Sequence, residues 1–315
     1  MTISRTLLAG LATAVLTSTT ALAASCPAGY PAGNVNFLVG YGAGGGTDTV
    51  ARKVATDIET ATGWTIVVDN KPGASGGVMA KGLIDGDADG MTVGVVSNTT
   101  VAINPHVNAD IGYTHDDFGY LGTGMVLNYG LVTLAENPFG TLEDFVAMAK
   151  EKGRATVSVG ASSHTIAVDT LAEHYGIKLV AIPGKGSAAA LQEALGGHVD
   201  ATIQGAAHVP QIKAGKMVQL ATLTENRAAY APDTKTALES GVDLSIEGHI
   251  IFIINKDTPA EIQTCLADAL AEVTSSQDYV DFLAGRSAVP GNMGADGTAE
   301  WVANASAFYG EKLAK

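Results

Sequence analysis

The chain repeats one local order, in which a short apolar run leads into a loop of glycine and small polar residues and then into a helix. Three such runs come early, at 35–40, 64–69 and 91–96. The first precedes a glycine loop, after which Thr47 or Asp48 is expected to cap a helix, because a side-chain oxygen there accepts from the free amides of the first turn. Strands that alternate with helices form mostly parallel sheets covered on both faces. We therefore predict an α/β protein.

A second series of the same kind begins after about residue 104. Thr141 is expected to cap a helix in this series, and the tail is predicted to be helical, with helices beginning at Thr258-Pro259 and at Thr298. Two similar series indicate two α/β domains. The predicted strands of the second series are 131–134, 156–159, 179–182, 199–203 and 220–223, and the last is also interpreted as the return crossing.

The N-terminus is typical of an export signal. Arg5 supplies a positive n-region, residues 7–16 form an apolar run, and Ala21-Leu22-Ala23 fits the small-x-small cleavage pattern. The run is too short to span a bilayer, which needs about 20 residues. We predict that residues 1–23 are removed on export and that the mature chain is a soluble exported protein; an ordinary N-terminal helix is the alternative.

Two cysteines are present in the sequence, Cys26 and Cys265. In an oxidising compartment an even number of cysteines favours a disulfide, which here would pin the mature N-terminus to a C-terminal helix. Two unrelated thiols are the alternative. The sequence has no Cys-x-x-Cys pair, and its seven histidines do not follow a metal-ligand spacing. We therefore expect no metal or cofactor.

The charge balance excludes one class of function. The 315 residues include 18 Lys and Arg against 32 Asp and Glu, which gives a formal net charge of −14. Nucleic-acid binding needs a basic face that releases counterions, so we expect no nucleic-acid partner. Any capture of an anion by this chain has to depend on local donors and not on long-range attraction.

Two glycine motifs favour enzymatic alternatives. Residues 40–45 match G-x-G-x-x-G between a strand and a helix, and Asp69 stands where a ribose-binding acid would, as in a nucleotide-dependent oxidoreductase. Residues 73–77 match the G-x-S-x-G elbow of serine esterases. In the first motif, the negative charge of Asp48 would repel a pyrophosphate. In the second motif, three residues separate the match from the preceding strand, whereas an elbow serine lies directly between strand and helix. We therefore keep an exported oxidoreductase or esterase as an alternative only.

The ends of the predicted strands are more informative than either motif. Loops such as 160–163 and 183–187 lie where ligands bind in open α/β sheets, and they consist mainly of Gly, Ser, Pro and Ala. Backbone amides and hydroxyls at helix N-termini hold a carboxylate without a matching cation. Lys185 is the one basic side chain in these loops, and His164 is the histidine expected near a ligand.

Several strings of residues, taken in order, are similar to those of a known family. They include Gly44-Gly45-Gly46-Thr47-Asp48, residues 67–74 (Val-Val-Asp-Asn-Lys-Pro-Gly-Ala), Lys185-Gly186, and residues 195–200 (Leu-Gly-Gly-His-Val-Asp). With this order and spacing, nearly the whole mature chain resembles the Bug-type receptors of tripartite tricarboxylate transporters, a family of periplasmic solute-binding proteins.

The resemblance implies an α/β, two-domain periplasmic binding protein of the Venus flytrap kind (type 2-like), with parallel-rich sheets and crossing hinge strands. Domain 1 would combine 24–103 with 225–315, and domain 2 would be 104–224. It also implies a small organic acid ligand, delivery to the membrane permease subunits of a tripartite transporter, no enzymatic activity and a monomer. The implied ligand-binding residues are Tyr41, Gly42, Gly44, Gly45, Thr47, Asp48, Ser97, Asn98, Thr99, Ser162, Ser163, His164, Lys185, Gly186, Ser187 and Gln204.

The sequence departs from the family pattern at three positions near these residues. Ala43 stands where the family usually has proline, Gly184 where it has tyrosine, and Ala161 where it has glycine. These changes affect the pocket walls, so the identity of the acid stays open. A ligand receptor for a sensor kinase is a further alternative to transport.

Overall fold

The computed structural model describes residues 26–205, 207–291 and 293–314. The predicted export signal, 1–23, lies outside these residues. Within the described ranges, no helix has both the length and the apolar character needed to cross a membrane.

The described chain alternates strands and helices over most of its length. The strands are β1 (Val35–Val39), β2 (Ile66–Asn70), β3 (Thr92–Ser97), β4 (Phe118–Val126), β5 (Gly130–Leu134), β6 (Ala155–Val159), β7 (Leu179–Pro183), β8 (Ala201–Gln204), β9 (Met217–Thr222) and β10 (His249–Asn255). The α-helices are α1 (Gly46–Thr62), α2 (Gly77–Ile84), α3 (Asn104–Val107), α4 (Leu142–Lys152), α5 (Ser162–Tyr175), α6 (Ser187–Leu195), α7 (Val209–Lys213), α8 (Ala260–Ser275), α9 (Gln277–Ala284) and α10 (Ala295–Leu313).

The strands form two five-stranded sheets, which confirms the α/β prediction. The first has the order β2-β1-β3-β10-β4 and the second β7-β6-β8-β5-β9. β1 pairs in parallel with β2 and β3, and β6 pairs in parallel with β7 and β8. β10 and β5 are antiparallel to their neighbours. Each sheet is therefore mixed, with a parallel part that carries the glycine-rich loops.

Sheet membership moves the predicted domain boundaries. β4 pairs with β10 in the first sheet, although it was expected in a second domain starting at 104. The segment after β9 stays with the second sheet, since Thr222 bridges Thr236 and Ile246 N donates to Leu223 O at 2.7 Å. The first lobe is thus 26–126 with 247–314, and the second lobe is 127–246. The apolar strand β10 needs partners on both edges, and β4 supplies one of them.

The lobes are joined by two crossing segments, 127–129 and 246–248. Leu127 N donates to Gly248 O at 2.8 Å, which ties the two segments together. The return crossing was predicted at 220–223, but β9 lies there as a paired strand of the second sheet. The crossing itself follows a further loop, because that loop packs on the second sheet before the chain returns.

Helix starts were predicted with mixed success. Thr141 caps α4, and its Oγ1 accepts from Asp144 N at 3.1 Å, as predicted. The prediction that Thr47 or Asp48 caps α1 is wrong, because the N-cap is Gly45 and makes no side-chain cap. α8 has Pro259 as its N-cap, and α10 begins three residues before Thr298.

The predicted bridge between Cys26 and Cys265 is formed. Cys265 is fully buried in α8, so the bridge fixes the start of the described chain to the first lobe. The bonded residues are 239 positions apart. A loop of that length gives about 5 kcal/mol in the chain-entropy model of disulfide stabilisation.

Candidate functional site

The glycine loop between β1 and α1 is held from behind by Asp48. Asp48 Oδ2 accepts from Gly44 N at 2.9 Å, and Oδ1 accepts from Asn70 Nδ2 at 3.0 Å and lies 2.9 Å from an Arg52 nitrogen. Burial alone would raise the pKa of Asp48, but these hydrogen bonds outweigh it and hold the pKa below 3.8. Asp48 is predicted to bind ligand, and in this structure its carboxylate is bonded to the loop and to Asn70.

The second lobe brings two helix N-termini together behind one glycine. Gly160 follows the strand β6 just before α5, and a Cβ placed on it would lie 2.5 Å from Ser187 N at the start of α6. No side chain fits in that space, so glycine lets the two loops approach each other. Gly186, the N-cap of α6, has φ +111°, a left-handed region that favours glycine.

A small cavity lies between the lobes, which we call the inner cavity. Its volume is about 30 Å³. The first lobe lines it with Tyr41, Gly45, Gly46, Thr47 and Ser97, and the crossing segment lines it with Leu127 and Tyr129. The second lobe lines it with Gly160, Ala161, His164, Ser187 and Gly205.

Three helices begin at the wall of the inner cavity. Gly45 and Gly46 belong to the start of α1, Ala161 is the N-cap of α5, and Ser187 is the first residue of α6. First-turn amides have no acceptor within their own helix, and the helix dipole places partial positive charge there. Among the described residues, no Asp, Glu, Lys or Arg lines this cavity. The first-turn amides of three helices therefore contribute positive potential at this wall.

His164 contributes to the inner cavity as a neutral imidazole. It is 1% exposed, its Nδ1 accepts from Gly160 N at 3.2 Å, and its ring packs edge-on against Tyr129 at 5.2 Å. Burial lowers the pKa of His164 from 6.5 to about 3. The ring is therefore uncharged near neutral pH, and its proton is on Nε2, which makes Nε2 a donor.

Other predicted residues form hydrogen bonds across the interface and do not line the inner cavity. Ser75 Oγ lies 2.9 Å from Ser162 Oγ and accepts from Ser162 N at 3.0 Å. Ser162 Oγ donates to Asn104 Oδ1 at 3.0 Å, and Ser163 Oγ lies 2.9 Å from Thr99 Oγ1. We call these five residues the interlobe latch. Ser162, Ser163 and Thr99 are predicted as ligand contacts, and in this structure their hydroxyls join the two lobes.

Ser75 is the serine of the G-x-S-x-G match. Its φ is +50°, a conformation that non-glycine residues rarely adopt. Its carbonyl accepts from the Tyr41 hydroxyl, from Thr100 Oγ1 and from Asn104 Nδ2. In the described chain its hydroxyl is bonded to Ser162 and not to an imidazole, so its geometry supports the latch and not a nucleophile.

Of the remaining predicted residues, some line the inner cavity and others do not. Tyr41 lines the cavity while its hydroxyl lies 2.7 Å from Ser97 Oγ. Asn98 bonds to the return crossing, donating to Glu247 O at 3.1 Å. Gln204 is fully buried next to β5 and donates to Thr202 Oγ1, while its Oε1 has no partner in the described chain. Asn98 and Gln204 do not line the inner cavity, because these side chains point into the hinge and the second sheet.

A larger cavity, which we call the outer chamber, lies beside the inner cavity. Its volume is about 570 Å³, within the range usual for small-molecule pockets. It shares Gly45 and Gly46 with the inner cavity and also contacts Gly42, Gly44 and Lys185. Gly42 N donates to Lys185 O at 3.0 Å across the interface. Four of the predicted ligand residues, Gly42, Gly44, Gly45 and Lys185, therefore line the outer chamber.

Residues of the crossing segments belong to the candidate site and were not predicted from the sequence. Leu127 and Tyr129 line the inner cavity, yet neither lies in a glycine loop or at the end of a predicted strand. A signal was present, because these residues follow an apolar run that is β4 in the structure. Among the described residues, no group of His, Cys, Asp or Glu is placed to hold a metal ion.

Two α/β lobes, two crossing segments and a cavity between the lobes define a two-lobed solute-binding protein. The family model for the tripartite tricarboxylate transporter family receptor matches residues 50–313. A Cupriavidus necator protein, the UPF0065 protein in the gbd 5' region, is 30% identical over 264 residues, covering 81% of this chain and 79% of its own. The chain therefore belongs to the tripartite tricarboxylate transporter receptor family.

Solved structures agree with the family. The R. palustris protein Rpa4515 with adipate superimposes with a TM-score of 0.84 at 26% identity, covering 90% of this chain and 97% of its own. The periplasmic binding protein BugD gives a TM-score of 0.84 at 24% identity, with the same coverage. These similarities confirm the predicted two-domain solute-binding fold.

Proposed function

We propose that this chain captures a small organic carboxylate between its lobes and delivers it to the membrane permease subunits of a tripartite transporter. The observation that carries the proposal is the convergence of the N-termini of α1, α5 and α6 on the inner cavity. A carboxylate placed there accepts hydrogen bonds from first-turn amides at the positive ends of three helix dipoles. The R. palustris relative, whose structure contains adipate, supports the same ligand class.

The N-termini of three helices, in a lining that has no acidic side chain within the described residues, favour an anionic ligand group over a neutral one. Hydrogen bonds to a charged group contribute about 1.5–3 kcal/mol each. Two or three of them, with some buried carbon surface, support an affinity near 1 μM, which corresponds to about −8 kcal/mol. A buried cation would meet the positive ends of the dipoles and be repelled.

Capture is coupled to contact between the lobes. The interlobe latch and the bond from Gly42 N to Lys185 O form when the lobes meet. A ligand that contacts both lobes shifts the population toward this arrangement. The permease then distinguishes loaded from unloaded receptor by the shape of the two-lobed surface. The predicted signal at 1–23 and the disulfide agree with a periplasmic location.

The experiment is a thermal-shift screen of the mature chain, beginning at residue 24, against carboxylates, with mass spectrometry of any co-purified ligand. We expect at least one organic acid to raise the melting temperature, because a ligand that binds only the folded state stabilises it. Neutral sugars and cationic amines are the controls. A response only to controls would overturn the proposal.

The enzymatic alternatives are tested on the same material. Titration with nicotinamide cofactors and a generic ester assay are expected to give no binding and no turnover. Stoichiometric cofactor binding, or hydrolysis abolished by Ser75→Ala, would contradict the receptor proposal.

A further inference from the structure

The outer chamber has walls from both lobes. The first lobe contributes Val50, Met125 and Leu283, and the second contributes Leu191 and Pro210. These side chains make the walls largely apolar, so the chamber suits a hydrocarbon spacer or ring.

Two cations line the same chamber, one from each lobe. They are Lys185, just before α6, and Arg286, just after α9. Neither forms an ion pair in the described part of the chain, and no Asp or Glu of that part lines the chamber. In a protein with a net charge of −14, this local excess of positive charge runs against the overall balance.

The guanidinium of Arg286 is held in place. It lies 3.8 Å from the centre of the Phe282 ring, and its Nη1 donates to Phe282 O at 3.0 Å. This contact orients the planar group and uses one of its five donors. Arginine in a fixed orientation binds carboxylates through paired hydrogen bonds, which a flexible lysine does not do.

The inner cavity is too small to hold a whole organic acid. With the lobes placed as they are, its volume is about 30 Å³, whereas one water needs roughly 10–15 Å³ by the same measure. It therefore fits a carboxylate group, and the rest of the molecule has to extend beyond it. The outer chamber adjoins the inner cavity at the shared residues Gly45 and Gly46, which carry no side chains.

We propose that the outer chamber binds the second acidic group of an elongated dicarboxylate whose first carboxylate lies in the inner cavity. The inference rests on the proposed function and narrows its ligand class. The apolar walls contact the spacer, and Lys185 and Arg286 neutralise the distal carboxylate. Because these cations come from different lobes, the distal carboxylate also draws the lobes together.

The test compares linear dicarboxylates from malonate to suberate with monocarboxylates of matched length, such as adipate with hexanoate, by calorimetry on the mature chain. We expect the longer dicarboxylates to bind at least tenfold more tightly than their monocarboxylate partners. Arg286→Gln is expected to remove about tenfold of the adipate affinity and to leave that of hexanoate unchanged. Lys185→Gln acts in the same direction with a smaller effect.

The matched controls are Arg154→Gln and Lys178→Gln, which make the same charge change at exposed positions outside both cavities. They are expected to preserve the preference for dicarboxylates, and the melting temperature of each unliganded variant checks its fold. Equal wild-type affinities for adipate and hexanoate, or equal weakening of both by Arg286→Gln, would overturn the outer-chamber proposal while the proposed function stands. Failure of every carboxylate to bind would overturn both.

Discussion

The inner cavity and the outer chamber share two glycines and differ in the groups that would compensate the negative charge of the proposed ligand. The inner cavity relies on the N-termini of α1, α5 and α6, with no charged side chain among its described lining residues. The outer chamber uses the side chains of Lys185 and Arg286 among apolar walls. Peptide dipoles are set by the fold, whereas side chains change with single substitutions. In the function proposed here, the fold therefore sets the affinity for a carboxylate, and side chains set the choice among carboxylates.

The largest expected effect comes from blocking contact between the lobes, on which both regions depend. Gly42→Ala places a methyl group 2.8 Å from Lys185 O, in the opposite lobe. Overpacking of this kind costs about 1–3 kcal/mol, so calorimetry should show affinity for every ligand reduced by about five- to a hundredfold. The unliganded melting temperature should hardly change. Gly82→Ala, in an exposed turn of α2 with open space around its Cβ, is the control.

Low pH should affect the inner cavity and not the outer chamber, because, of the two, only the inner cavity has a histidine, His164, among its described lining residues. Burial depresses the pKa of His164 to about 3 in the folded state, so below pH 6.5 the unfolded chain binds more protons. The free energy of unfolding is then highest above pH 6.5 and falls as the pH drops toward about 3. Between pH 6.5 and 4.5 the loss due to His164 is on the order of 2 kcal/mol.

Urea unfolding at several pH values measures this slope. His164→Gln retains a hydrogen-bond acceptor for Gly160 N and should have a shallower slope than the wild type. Burial also lowers the pKa values of His208 and His249, each to about 4, so part of the slope should persist in the variant. Identical slopes in both proteins would show that His164 is not neutral in the folded state.

A smaller effect is expected from the interlobe latch, which touches neither carboxylate of the proposed ligand. Ser162→Ala removes bonds to Ser75 and Asn104, and Ser163→Ala removes the bond to Thr99. At about 0.5–1.5 kcal/mol for a hydrogen bond, each change should weaken binding about two- to tenfold. The weakening should be equal for monocarboxylates and dicarboxylates. Ser275→Ala, exposed in α8, is the control, and loss confined to one ligand class would indicate direct contact.

The smallest expected effect is that of salt, and it distinguishes the two kinds of compensation directly. Lys185 and Arg286 are exposed, so added NaCl screens their attraction for a distal carboxylate. Raising NaCl from about 50 to about 500 mM should weaken adipate binding roughly threefold and leave hexanoate binding nearly constant. Equal sensitivity of both ligands would remove the distinction between the regions.

The glycine loops and the helix starts at α5 and α6 were predictable because turn chemistry is local. Gly160 and Gly186 lie in loops that follow strands, and their positions in the sequence are enough to indicate the helix N-termini that come next. The orientation of Asp48 was not predictable, since its carboxylate is bonded to Asn70 and to the loop before its own helix. A carboxylate in a first turn is equally compatible with facing the ligand.

Features that depend on distant parts of the chain escaped prediction. Six of the seven residues of β10 are buried, so the strand lacks the alternation that identifies a half-exposed strand. The latch joins Ser75 to Ser162, 87 residues apart, and each serine alone is an ordinary loop residue. The boundary at 104 was misplaced for the same reason, because only the partnership of β4 with β10 assigns β4 to the first lobe.

The strand order of the first sheet has a consequence for how the polypeptide matures. β10 lies between β3 and β4, yet it is synthesised after the whole second lobe. As the chain emerges from its amino end, the second lobe, continuous from 127 to 246, has all its strands available first. The sheet of the first lobe is incomplete until β10 is synthesised, because β10 has to pair with both β3 and β4. An exported nascent chain therefore carries two exposed strand edges, which invite pairing with other chains until the C-terminal segment arrives.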